Sequence, residues 1–140
     1  IAPEGDWIGA FAVSVDAVEE CAALRERSDD YRALILQALA DRLAEAASEW
    51  LHRYVRRKLW GYAHDEPDMT PEELLQGKYR GIRPAMGYNS LPDTTLNHRI
   101  AQLTGMDGIG VTVTESGALS PSSSVCGLYI AAPEAYYFNL

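Results

Sequence analysis

The sequence predicts an α+β fold: a mainly antiparallel sheet with a long spine helix and several shorter helices. Two observations lead there. Apolar, strand-like runs stand near both ends of the chain, at Ile8–Val15 and Val125–Ala131. Between them, from Ser28 to about Lys58, the chain has no Gly or Pro and is rich in Ala, Leu, Glu and Arg, a composition that favours helix. Strands at both ends of a helical middle point to α+β rather than a parallel α/β sheet. The 140 residues suit a single domain.

Ile8–Val15 reads as a buried strand. Asp16 caps a short helix that carries Val18, Cys21 and Leu24 on one face. Ser28-Asp29-Asp30 then starts the spine, with a capping hydroxyl and acids in the first turn. Ile35, Leu39, Leu43, Ala46, Trp50 and Tyr54 fall at spacings of three and four, so this stripe is expected to face the core. Arg53, Arg56, Arg57 and Lys58 complement the helix dipole and read as a solvated end, with a basic partner-binding patch as the alternative. Gly61 stops the helix. Thr70-Pro71-Glu72-Glu73 is a compact capping box with proline at the first helical position, opening a short helix over Glu72–Gln76. Asp93-Thr94-Thr95 caps another helix that runs to about Leu103 and ends before Gly105. Gly108–Thr114 then reads as a glycine turn and a β-branched strand. Ser120–Ser124 is a loop, Val125–Ala131 a strand, Pro133-Glu134 a turn and Tyr136–Leu140 a last strand.

The stretch Tyr79–Asp93 is too well punctuated to be an ordinary connection. Pro84 and Pro92 fix φ and push Arg83 and Leu91 towards extended backbone, and Gly87 permits positive φ or close approach to the main chain. Arg83 therefore leaves an extended segment, where its planar fork suits a carboxylate. That carboxylate belongs either to a ligand or to a neighbouring acid of a rigid surface loop.

Composition excludes several functions. A formal charge of −8 argues against nucleic acid, which selects a basic face. No run is long and apolar enough to span a membrane, and the first residues lack signal-peptide character, so the cytoplasm is the expected compartment. Cys21 and Cys126 have no paired spacing and read as buried thiols rather than a disulfide or metal site. His52, His64 and His98 have no ligand spacing, and His52 and His98 read as surface or packing residues. The Ser122–Ser124 run lacks a nucleophile elbow, and the glycines of Gly105–Gly110 do not form a dinucleotide fingerprint. No catalytic or metal-ligating residue is nominated. The chain reads as a binder of a reagent rather than an acid–base catalyst.

Arg83-Pro84-Ala85-x-Gly87-Tyr88, with Tyr79-x-Gly81-Ile82 before it and Pro92-Asp93 after, resembles the S-adenosylmethionine-binding loop of the activation domain of cobalamin-dependent methionine synthase. Four further blocks are similar to that family and stand in its order. They are Ile8–Val13, Ala40–Ala46 leading to Trp60-Gly61-Tyr62-Ala63, Thr114-Glu115-Ser116, and Ser124-Val125-x-Gly127-Leu128-Tyr129 before Tyr137-Phe138. Together they cover nearly the whole chain, residues 1–140 corresponding to the C-terminal portion of the family's domain.

The resemblance implies an S-adenosylmethionine-binding module that supports reductive methylation of cob(II)alamin to methylcobalamin, as part of a 5-methyltetrahydrofolate–homocysteine methyltransferase. Cobalamin would be held by a neighbouring domain or chain, and the electron would come from flavodoxin or a flavoprotein reductase. By position, the resemblance nominates Arg83, Ala85, Gly87, Tyr88, Tyr137, Phe138 and Glu45 for the ligand. Tyr136 replaces Tyr137 if the alignment slips by one, and Glu45 reads equally as a solvated charge. The family's domain is longer, its N-terminal acidic ligand residue has no counterpart here, and Cys126 and Asn89-Ser90-Leu91 depart from its commonest residues. The open edges of Ile8–Val15 and Val125–Ala131 are therefore expected to drive self-association, or ligand affinity to fall. Alternatives are a freestanding reactivator of another corrinoid protein and a non-catalytic interaction domain that has lost its ligand.

Overall fold

The computed structural model describes residues 6–137. The order is β1 (Gly9–Ser14), α1 (Val18–Glu26), α2 (Asp30–Tyr54), α3 (Pro71–Leu75), α4 (Asn97–Thr104), β2 (Thr112–Val113), β3 (Leu119–Ser120) and β4 (Ser124–Tyr129). This is the expected α+β mix, although the sheets are small: β1 pairs antiparallel with β4, and β2 with β3. The β1–β4 register runs from Gly9 opposite Tyr129 to Ser14 opposite Ser124.

Period-two alternation divides the side chains of this ribbon between two faces. Ala10, Ala12, Cys126 and Leu128 pack with Ile100, Met106 and Val111 below α4. Phe11, Val125 and Tyr129 face the other way and pack on Leu51 and Val55 at the end of α2. Phe11 stacks on Tyr129 with ring centroids 4.8 Å apart.

α2 begins in the expected stretch but with a different cap: the Asp29 carboxylate, not the Ser28 hydroxyl, accepts a hydrogen bond from the Arg32 amide at 3.2 Å. It runs 25 residues and passes into a five-residue π-helical turn, Val55–Leu59, before Gly61 at φ +74°. Its orientation is the main correction. Leu39, Leu43 and Trp50 are 61%, 58% and 61% exposed, and Ile35, Ala46 and Tyr54 are exposed with them. The buried stripe is instead Ala33, Ala40, Ala44, Ser48 and His52. Small residues let the helix axis approach the sheet closely, and polar ones are tolerated there because they find partners. Arg56 also departs from the solvated-end reading, being fully buried against Glu66, while Arg53 and Arg57 both pair with Asp68.

The shorter elements follow their signals with local differences. Asp16 accepts from the Val18 amide at 3.1 Å. The Thr70–Glu73 capping box is reciprocal, placing α3 one residue earlier than expected. Asp93 caps a 3₁₀ turn, Thr94–Leu96, that leads into α4. Gly105 at φ +61° ends that helix. The expected strand over Gly108–Thr114 shrinks to Thr112–Val113, because Met106–Ile109 coils into a 3₁₀ turn that buries Met106. Tyr136 and Tyr137 are not in a strand, and Phe138–Leu140 lie outside the described residues.

The Tyr79–Asp93 stretch adds itself to the free side of β4. Backbone bonds join Ile82 with Ile130 in both directions at 2.9 and 3.0 Å, Leu128 N to Pro84 O at 3.0 Å and Met86 N to Cys126 O at 3.0 Å. β4 is thus not the open edge its sequence suggests. Within this ribbon, β1 is the strand that keeps an edge without a paired strand among the described residues. No helix among the described residues is long and apolar enough to cross a membrane.

Candidate functional site

The backbone bonds to β4 hold the Arg83 segment extended over the sheet. After Met86 the chain turns sharply, with Gly87 at φ +84° and its amide bonded to Leu91 O at 2.9 Å. Gly127 on β4 makes the approach possible. A Cβ there would overlap the Pro84 carbonyl and stand 2.9 Å from both Ala85 Cα and the Phe11 ring. Two glycines on different elements therefore set the height and the turn of one loop.

This arrangement and α2 enclose a cavity of about 490 Å³, lined by Glu45, Arg83, Ala85, Gly87, Tyr88, Asn89, Ser90 and Tyr137. Six of the seven residues nominated from sequence thus share one cavity, although they come from three separated segments. Phe138 lies outside the described residues. Tyr137, rather than Tyr136, lines the wall; its hydroxyl accepts a hydrogen bond from the Arg83 amide at 2.7 Å.

Glu45 is not a free solvated charge here. It accepts a hydrogen bond from the Tyr88 hydroxyl, and that bond, followed by partial burial, pushes the phenol pKa up. The shared Glu45–Tyr88 wall separates the cavity from a neighbouring one of about 330 Å³ beside Asp41, Arg42 and the Ser122–Ser124 loop. There Asp41 accepts from Ser123 Oγ at 2.6 Å and Gln37 Nε2 at 3.0 Å, and these bonds hold its carboxyl below the usual range.

Behind Arg83 lies a buried polar cluster that the sequence reading did not assemble. Glu49 Oε2 stands 3.4 Å from Arg83 Nη2. Arg56 donates to Glu66 through Nε and Nη2 at 2.9 to 3.2 Å, with its guanidinium 4.2 Å over the Tyr79 ring. His52 lies between them, its Nε2 3.2 Å from the Tyr62 hydroxyl and its ring stacked on Tyr129. Burial, then the charges of Arg56 and Arg83, push its pKa down to about 3, so it stays neutral at pH 7. The available signal was spacing: Glu45, Glu49, His52 and Arg56 recur every three or four residues along one helix face. Burial also raises the Cys126 thiol to about 11, leaving it inert near neutrality.

Chemically, the cavity offers a guanidinium, a carboxylate, two phenols and glycine-permitted access to backbone. Such groups complement a small molecule carrying both charge signs and an aromatic surface. Residues 1–140 match the family described as "Vitamin B12 dependent methionine synthase, activation domain". Among solved structures, the chain is similar to one titled "Crystal Structure of the MetH Reactivation Domain bound to AdoHcy", at 42% identity and a TM-score of 0.87. The match covers 94% of this chain and 41% of that one, so the chain spans about two-fifths of the solved protein's length.

Proposed function

The chain belongs to the family of vitamin B12 dependent methionine synthase activation domains, and from that premise we propose that its Arg83 cavity binds S-adenosylmethionine. The observation that carries this is the convergence of Glu45, Arg83, Ala85, Gly87, Tyr88 and Tyr137 on one cavity. Its volume falls in the range of about 300–1,000 Å³ usual for small-molecule sites. The residues fit the ligand's chemistry: Arg83 Nε is buried and has no hydrogen-bond partner among the described residues, and a carboxylate is the natural partner of that fork. Glu45 supplies negative charge for the ammonium or sulfonium groups, and Tyr88 and Tyr137 supply aromatic surface. The similar solved domain's bound AdoHcy supports the same assignment.

When bound, the ligand supplies a sulfonium methyl that reduced cobalamin can accept. This chain's part is to bind and orient: the Glu45 carboxylate is engaged by the Tyr88 hydroxyl, and His52 holds a proton too weakly to serve as a base. We place the module in reductive methylation of cob(II)alamin within a 5-methyltetrahydrofolate–homocysteine methyltransferase. A cobalamin-binding domain and a flavodoxin or flavoprotein reductase are its partners. The meeting of six nominated residues on one cavity favours this over an interaction domain that has lost its ligand.

Calorimetric titration with S-adenosylmethionine tests the site. Arg83→Ala should weaken binding by about 1.5–3 kcal/mol, the range for a hydrogen bond to a charged group. Equal affinities would remove Arg83 from the site.

A further inference from the structure

The buried face of α2 delivers a second acid to the site, one turn beyond Glu45. Glu49 does not line the cavity. It reaches Arg83 from behind, with Oε2 3.4 Å from Nη2, and its other oxygen stands 4.0 Å from Arg56 Nη1. Arg56 is already neutralised by Glu66, so the Glu49 charge is left mainly for Arg83. The Arg83 side chain is 13% exposed and makes no other ion pair among the described residues. Its guanidinium lies 5.8 Å from the Phe11 ring centroid, an apolar neighbour that cannot fix the rotation of the fork.

We propose that Glu49 is a positioning residue: it holds one edge of the Arg83 guanidinium and so presents the remaining donors to the carboxylate of the bound ligand. The proposal rests on the S-adenosylmethionine reading of the cavity. The physical reason is that a guanidinium donates in a fixed plane. One carboxylate on Nη2 restricts that plane, and the loss of side-chain entropy is met before the ligand arrives.

The test uses two ligands that share the adenosyl thioether and differ in the amino-acid group: S-adenosylhomocysteine and 5′-methylthioadenosine. Glu49→Gln should weaken S-adenosylhomocysteine on the order of ten-fold, the scale of one misdirected charge-assisted hydrogen bond. Methylthioadenosine, which has no carboxylate, should change by less than about two-fold, since contacts shared by both ligands are untouched. In an Arg83→Ala background, Glu49→Gln should have no further effect on S-adenosylhomocysteine. Equal weakening of both ligands would assign Glu49 to general structure and overturn the proposal. Unchanged or tighter S-adenosylhomocysteine binding would overturn it too, the latter by showing that Glu49 competes with the ligand. If the unaltered protein binds neither compound, the reading of the cavity itself fails, and the proposal falls with it.

Discussion

Lowering the pH from 7 to 5 should destabilise this protein through His52. The ring is fully buried, stacked on Tyr129 at 5.2 Å and edge-on to Tyr79 at 5.1 Å. Burial and the nearby Arg56 and Arg83 charges depress its pKa to about 3. In the unfolded chain a histidine takes up its proton near pH 6.5. Below that value the unfolded state binds a proton that the native state refuses, so unfolding free energy falls as pH falls, until the native pKa is reached. At pH 5 the loss is about 1.5 pH units times 1.36 kcal/mol, or about 2 kcal/mol. The window is clean. Carboxylates ordinarily titrate below it, the shifted Asp41, Asp68 and Asp93 are held lower still, and His64 and His98 are exposed. Urea unfolding at pH 7, 6 and 5, followed by circular dichroism, measures the slope. His52→Phe keeps the ring stack, gives up the Tyr62 bond and should flatten the slope whatever its stability at pH 7. Parallel slopes for the two proteins, or none in the unaltered one, would refute the argument.

Glu66→Gln should cost about 3–5 kcal/mol, because it leaves the buried Arg56 guanidinium without its counter-charge; urea titration at pH 7 measures it, and a loss under about 1 kcal/mol would mean that water reaches Arg56. Gly127→Ala should lift Pro84 and Ala85 off β4, costing about 2–4 kcal/mol in overpacking and lost backbone bonds and weakening S-adenosylmethionine binding with it. A normal thermal midpoint together with normal ligand affinity would show that the loop does not depend on this contact.

Local signals that act within a few residues were legible in the sequence. The Thr70–Glu73 capping box, the acid in the first turn of α2 and the αL glycines at 61 and 105 all occur where their chemistry requires. So does the pairing of Arg83-Pro84 as extended backbone, since proline restricts its own φ and its predecessor's conformation. What misled was the apolar stripe of α2. Periodicity identifies two faces but assigns the core to the greasier one by assumption. Here Ala33, Ala40 and Ala44 give a smooth surface for close packing, and His52 and Arg56 bring bonds that only the folded chain supplies. The partners Tyr62, Glu66 and Tyr79 are ten or more residues away in sequence from the His52 and Arg56 they contact, beyond the reach of any periodic pattern. Strand β2 was overestimated for a similar reason: β-branched composition over 111–114 gave no weight to the turn geometry that Gly110, at φ +79°, makes available.

The inverted helix gives the site its construction. Gln37, Asp41, Glu45, Glu49 and His52 on α2, continued by Arg56 in the π-helical turn, form a polar ladder down one side of the spine, and its rungs meet five parts of the chain. Gln37 and Asp41 meet Ser123, Glu45 meets Tyr88, Glu49 meets Arg83, His52 meets Tyr62, and Arg56 meets Glu66. An apolar face would fill the same space, but it would not fix which way Arg83 or Tyr88 points, because dispersion and burial are nearly indifferent to rotation. Hydrogen bonds are directional, and they grow stronger where water is excluded. A rigid helix carrying acids at four-residue intervals therefore acts as a ruler for the loop opposite. It sets both the position of the loop and the orientation of its ligand-binding side chains. With these rungs committed inward, the apolar residues Leu39, Leu43, Trp50 and Tyr54 are left on the outward side, beside the exposed Arg32 and Arg42.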